Sequence, residues 1–124
     1  MRKAHIVEGA AKPAGQYSHA VTANGFVYVS GQGPADPRTG LMSDNFAEQI
    51  RQTIRNLETI LKGVGASLND VVKINGYLAD LTRFQEYNEV YTEFFPSAAP
   101  ARTTIGCQLY GIHVEIDCVA ALPK

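Results

Sequence analysis

Pro100-Ala101-Arg102-Thr103-Thr104-Ile105-Gly106-Cys107-Gln108-Leu109, then Tyr110-Gly111, then Ile112-His113-Val114-Glu115-Ile116-Asp117-Cys118-Val119-Ala120-Ala121 is the stretch on which the fold turns. It reads as two β-strands about a tight loop. With Tyr110-Gly111 as a two-residue turn, glycine supplies the positive φ that such turns require. Leu109 then faces Ile112, Gly106 faces Glu115, Thr104 faces Asp117 and Arg102 faces Val119. Side chains alternate between the two faces of a strand. One face of this hairpin therefore collects Arg102, Thr104, Gly106, Glu115 and Asp117. The other collects Thr103, Ile105, Cys107, Val114, Ile116 and Cys118 and has the character of a core face. The first sets one guanidinium and two carboxylates on an otherwise apolar strand pair, and it is the functional candidate.

The 124 residues, 45% of them hydrophobic and 19% charged, fit one globular domain, residues 1–124, able to bury a core without staples. The formal net charge is −1, and there is no basic block beyond Arg2-Lys3. An electrostatic footprint for nucleic acid or an anionic membrane is absent, so neither is an expected partner. No apolar run approaches a membrane span and no secretory signal opens the chain; a cytoplasmic, soluble protein is expected. Cys107 and Cys118 share a face in the proposed register but lie roughly 13 Å apart along the strands, too far for a disulfide.

Upstream, Asn24-Gly25 is a hairpin signal between a strand ending near Val21 and the β-branched, aromatic run Phe26-Val27-Tyr28-Val29-Ser30. Phe46, Ile50, Ile54, Leu57, Leu61 and Val64 recur at spacings of three and four, which predicts a helix over Asn45–Lys62. Ser43, Asp44 and Asn45 are candidate N-caps, and Gly63 or Gly65 is the stop. Val71–Leu78 is the next strand. Thr82-Arg83-Phe84-Gln85 matches a capping box and opens a second helix with an aromatic stripe, Phe84, Tyr87, Tyr91, Phe94 and Phe95, ended by Pro96. Asn88 falls within that stripe, as a structural amide or as part of a site. The order β-β-β-α-β-α-β-β predicts an α+β fold: one mostly antiparallel six-stranded sheet with both helices on one face. Phe26, Tyr28 and Val119 would lie on the uncovered face, which predicts self-association.

Spacing leaves two uses for Arg102, Thr104, Glu115 and Asp117. One is a salt bridge holding the hairpin or an interface. The other is a site in which Arg102 offers a two-pronged donor to a substrate carboxylate and Asp117 orients or deprotonates water. His5, His19 and His113 form no metal-binding spacing, so no metal is expected. Gly31-Gln32-Gly33 precedes a loop and lacks the phosphate-loop pattern.

Five segments, in order and spanning essentially the whole chain, resemble the Rid family of reactive intermediate/imine deaminases, the YjgF-like proteins. They are Gly15–Val21, Tyr28–Gln32, Asn88–Phe95, Pro100–Thr104 and Val114–Asp117. The resemblance implies a chorismate-mutase-like (bacillary) α+β fold and a homotrimer with clefts between subunits. It implies hydrolysis of reactive enamines and imines, such as 2-aminoacrylate, to 2-keto acids and ammonia without cofactor or metal. The family's carboxylate-binding arginine falls on Arg102, its tyrosine on Tyr17, its cleft serine on Ser30 with Gly31 beside it, and its helix asparagine on Asn88. The acid that positions water, usually Glu, falls on Asp117, one methylene shorter; a displacement of about 1 Å can cost ~10²-fold in rate. Thr104 stands where many members have Cys, and Gln16 where many have Pro. Two alternatives accompany this expectation: a non-catalytic sensor of 2-keto or amino acids, and an endoribonuclease or translation inhibitor.

Overall fold

A computed structural model describes residues 1–124. Its strands are β1 (Lys3–His5), β2 (Ala20–Ala23), β3 (Phe26–Gln32), β4 (Val71–Leu78), β5 (Ala101–Gly106) and β6 (Val114–Ala121); its helices are α1 (Phe46–Gly63) and α2 (Phe84–Phe94). Asn24 and Gly25 both take positive φ, 51° and 83°, and fold β3 back along β2 with Ala23 opposite Phe26, as the turn signal predicts. The six strands form one sheet in the order β1-β2-β3-β6-β4-β5, antiparallel throughout except for the parallel pair β4–β5. Both helices cover the same face, giving the two-layer α+β arrangement expected.

α1 forms where its stripe predicts. Asn45 is the N-cap, its side chain accepting from the Glu48 backbone N–H at 2.9 Å, and Phe46, Ile50, Ile54, Leu57 and Leu61 are all buried. Each such side chain removed from water contributes about 1.5–3 kcal/mol. They pack on Val27 and Val29 of β3 and on Val114, Ile116 and Cys118 of β6. α2 begins differently from expectation. The Thr82–Gln85 box does not form; Asp80 instead caps a single 3-10 turn, Leu81–Arg83, through Thr82 N–H and its hydroxyl, and α2 follows from Phe84.

The closing hairpin is the larger correction. β5 and β6 are not paired. β4 lies between them, with Asn75 flanked by Thr103 on one side and Asp117 on the other. Parallel strands need a crossover, and α2 supplies it by returning the chain to run alongside β4 on the sheet edge. β6 enters instead between β3 and β4, where both its edges are paired. Gly111 does take a positive φ, 71°, but within the loop that carries the chain past the end of β4. The β6 half of the expected core face holds, with Val114, Ile116 and Cys118 buried; the β5 half does not, since Thr103 and Ile105 are exposed on the uncovered side. Cys118 and Cys107 are free, and burial, aided by the Asp117 charge, pushes the Cys118 thiol up to about 12.

Buried polar groups are tied to backbone. Asn56, on α1, donates both amide hydrogens, to Gly33 O at 2.9 Å and Ala35 O at 2.8 Å, fixing the loop after β3. Asn56→Ala strands two carbonyls, and equilibrium urea denaturation is expected to show a loss of about 1–2 kcal/mol. His19 is 2% exposed; its Nδ1 accepts from Val7 N–H and its Nε2 donates to Ala11 O. The ring thus clamps the segment leading to Tyr17. No helix is long and apolar enough to cross a membrane.

Candidate active site

The expected site residues fall into two groups on opposite faces of the sheet. The first lies on the helix side, between α2 and β5. In β5 the alternation turns Arg102 and Thr104 toward the helices, because their β4 neighbours Ile74 and Gly76 belong to the core face. The Arg102 guanidinium sits 4.7 Å from the Tyr91 ring centre, 5.4 Å from Tyr87 and 5.5 Å from Phe84. This aromatic cradle, spaced along α2 by single turns, orients the cation. No carboxylate is paired with it. Around it the hydroxyls of Tyr87, Tyr91 and Thr104 and the Asn88 Oδ1 are enclosed and lack a well-formed hydrogen bond. Burial raises the pKa of both tyrosines, with Arg102 opposing it. An adjoining cleft of about 360 Å³ is walled by Asn88, Tyr91, Phe95, Pro100 and Arg102.

The second group faces the uncovered side. Tyr17, Ser30, Gly31 and Glu115 line a cleft of about 350 Å³. Tyr17 is held by Ala14 N–H donating to its hydroxyl at 3.0 Å, and the Ser30 hydroxyl donates to Ser18 O at 2.6 Å. β3 and β6 lose register between Val29 and Gln32, and this irregularity brings Gly31 against the Glu115 carboxylate; a Cβ at position 31 would fall on it. Any side chain at position 31 would make the Glu115 carboxylate shift. Burial and then the Asp117 charge raise the Glu115 pKa above its usual value. Asp117 lies two residues along the same face. Asn75 Nδ2 donates to its Oδ1 and the Tyr77 hydroxyl to its Oδ2, both at 2.8 Å. The bond to Asp117, with some burial, lifts Tyr77 to about 12.

Arg102, Thr104 and Asn88 therefore stand together, as do Tyr17, Ser30 and Gly31, but one chain does not bring Arg102 and Thr104 onto a face with Asp117. The shared face expected from the hairpin is corrected by one residue of register: Thr103, not Thr104, lines up with Asp117. Tyr87 and Tyr91 as a cradle, and Asn75 and Tyr77 as partners of Asp117, lie outside the set expected from the sequence. Polar Asn75 and Tyr77, alternating with buried Ile74, Gly76 and Leu78 in β4, are a legible signal for the latter pair.

Comparison with known proteins agrees with this architecture. The family model described as endoribonuclease L-PSP matches residues 7–122. A RutC family protein of Pyrococcus horikoshii is 38% identical over 123 residues, covering 97% of this chain and 98% of that protein. The crystal structure of the Escherichia coli YjgF gene product superposes with a TM-score of 0.91 at 30% identity, covering 96% of this chain and 98% of the other. E. coli TdcF, solved with bound serine, superposes with a TM-score of 0.89 at 29% identity over 96% of this chain and 99% of that one. The chain therefore belongs to the family described as endoribonuclease L-PSP, in keeping with the Rid, YjgF-like resemblance carried by its five motifs.

Proposed function

We propose that this protein hydrolyses reactive enamines and imines of the 2-aminoacrylate/2-iminopropanoate type to 2-keto acids and ammonia. The observation that carries this reading is Arg102: a guanidinium cradled by three rings, without a carboxylate of its own, beside four enclosed polar atoms that lack a well-formed bond. A planar substrate carboxylate satisfies it with two parallel hydrogen bonds. Serine, bound in TdcF, is an amino acid of similar size.

The two groups work together when copies associate, the Arg102 group of one subunit meeting the Tyr17–Ser30–Gly31–Glu115 group of its neighbour. Phe26, Tyr28 and Ile105, all exposed on the uncovered face, support such packing. A homotrimer is expected, and light scattering that returns a monomer mass would remove the composite site.

Chemistry then proceeds from the iminium. A carboxylate of β6 takes a proton from water as the water oxygen bonds to the C=N carbon and the π pair moves to nitrogen. The resulting carboxylic acid protonates the amine. The C–N bond breaks with its electron pair leaving on ammonia, and the hydroxyl proton passes to ammonia as the ketone forms. Positioning supplies most of the acceleration. The direct test generates 2-iminopropanoate with an amino-acid oxidase and follows ammonia release: the protein is expected to raise the rate above that of buffer, and no increase would overturn the proposal.

The family description favours a second reading, RNA cleavage. With a net charge of −1 and no basic stripe the chain offers little to a phosphate backbone. Cleavage that survives rigorous purification and disappears in Arg102→Ala would establish it instead.

A further inference from the structure

Resting on the imine-hydrolysis reading, we propose that Phe95 limits the length of the substrate side chain, and that an apolar cleft behind it is a closed-off extension of the Arg102 cleft.

The Arg102 cleft changes character along α2. Asn88, Tyr91 and Phe95 line it in successive single turns. The Tyr91 ring centre lies 4.7 Å from the Arg102 guanidinium and 4.7 Å from the Phe95 ring centre, so the three form one continuous wall. From the strand side, Ala99 and Pro100 close the cleft opposite that wall. Arg102 and Asn88 thus supply the polar part, and Phe95, Ala99 and Pro100 supply a part with no side-chain hydrogen-bonding group.

A 2-imino acid matches that division. Its C=N carbon holds the carboxylate, the nitrogen and the side chain in one plane. With the carboxylate clamped by Arg102 and the nitrogen turned to polar groups, the side chain is directed at the apolar end. A substrate held by two parallel hydrogen bonds has little freedom to slide away from what it meets there.

What it meets is Phe95. Beyond this ring lies a second, largely apolar cleft of about 340 Å³, walled by Leu68, Val71, Phe94 and Ala98, and sharing Phe95 and Pro100 with the first. The two clefts are therefore neighbours with a common partition. The Pro100 ring is fixed to its own backbone, so Phe95 is the part of that partition able to change. It is held shut: its N–H donates to Tyr91 O at 3.1 Å as α2 ends, and its buried ring stacks on Tyr91. A methyl group stops short of it, whereas a benzyl group runs into it. In an apolar pocket one methylene too many or too few is worth about 10–200-fold in specificity, so a partition at this place is enough to separate small from bulky imines.

The test compares wild type, Phe95→Leu and Phe95→Leu/Leu68→Phe on the imines that amino-acid oxidases generate from alanine and from phenylalanine. The readout is the ratio of the two kcat/KM values, with pyruvate and phenylpyruvate binding followed by calorimetry. Wild type is expected to favour the alanine-derived imine by ~10-fold or more. Phe95→Leu is expected to move the ratio toward the phenylalanine-derived imine by ~10-fold or more, and to tighten phenylpyruvate relative to pyruvate. Leu68 lines the second cleft and not the first, so adding Leu68→Phe fills the extension and is expected to restore the preference for the small imine. A wild type that takes both imines equally, or a Phe95→Leu ratio within about threefold of wild type, overturns the assignment. So does a Phe95→Leu gain that survives Leu68→Phe, since the added room then lies elsewhere. Should Phe95→Leu fail to fold, Phe95→Met, which keeps most of the buried volume on a side chain able to bend aside, is judged by the same limits. Failure of the broader reading is distinct: wild type then leaves every imine at its rate in buffer, while the phenylpyruvate-to-pyruvate affinity ratio still reports the partition.

Discussion

Arg102→Ala is expected to remove imine hydrolysis, lowering kcat/KM on the order of 10²–10³-fold. The size of the loss reflects the pairing of this side chain with the substrate carboxylate. Losing one member of a desolvated, hydrogen-bonded charge pair costs about 2–5 kcal/mol, and each 1.4 kcal/mol is about tenfold. The loss is expected mainly as raised KM and weakened pyruvate binding, since a carboxylate clamp acts on ground and transition states alike. Arg102→Lys separates charge from geometry: it keeps the cation but not the two-pronged donor and fits the cradle less well, so an intermediate loss is expected. The rings of Phe84, Tyr87 and Tyr91 also lose a cation–π partner in Arg102→Ala, worth roughly 0.5–2 kcal/mol of stability. Circular dichroism should therefore show a folded protein with a modestly lower Tm. Retention of full activity by a folded Arg102→Ala enzyme would remove the clamp.

The second large effect lies beneath the same cradle. Gly76 is buried in mid-β4, and a Cβ there would run into the Tyr87 hydroxyl, with ring Cζ 3.1 Å away. Overpacking of this kind costs about 1–3 kcal/mol. Gly76→Ala is expected near the upper end because Tyr87 is fully buried between α2 and the sheet and has nowhere to retreat. A fall in Tm of roughly 10 °C follows for a domain of this size. Tyr87→Phe removes the colliding oxygen, which has no well-formed hydrogen bond to lose. The double variant Gly76→Ala/Tyr87→Phe is thus expected to recover most of the stability, a coupling that thermal or urea denaturation measures directly. An unchanged Tm in Gly76→Ala would show that the sheet and helix part there at no cost.

The parts of this fold legible in sequence are those decided locally. The α1 stripe, the Asn45 cap, the Asn24-Gly25 turn and the bounds of β4 depend on residues within a few positions of one another. The β5–β6 relationship does not. Tyr110-Gly111 has the chemistry of a tight turn, and Gly111 uses it, yet nothing in the stretch records that β4 will stand between the two strands. Parallel pairing leaves no mark at a turn, since its partners are joined through a helix. The error in pairing became an error of facing: with Thr103 rather than Thr104 in line with Asp117, Arg102 moves to the helix side. Of the candidate residues, Arg102 and Asn88 line one cleft and Tyr17, Ser30, Gly31 and Glu115 another. Their division across the sheet was not legible in sequence, because it follows from strand order.

Strand order also bears on how the molecule is made. β6 is synthesised after every other strand, yet it fills the slot between β3 and β4. Until it emerges from the ribosome, the nascent chain can assemble only two partial sheets, β1-β2-β3 and β4-β5, each ending in an open hydrogen-bonding edge. Such edges are templates for the wrong strand, including β6 of another chain. The last strand made is therefore the keystone, and the interval before it arrives is when this protein is most exposed to strand exchange and most in need of dilution or escort.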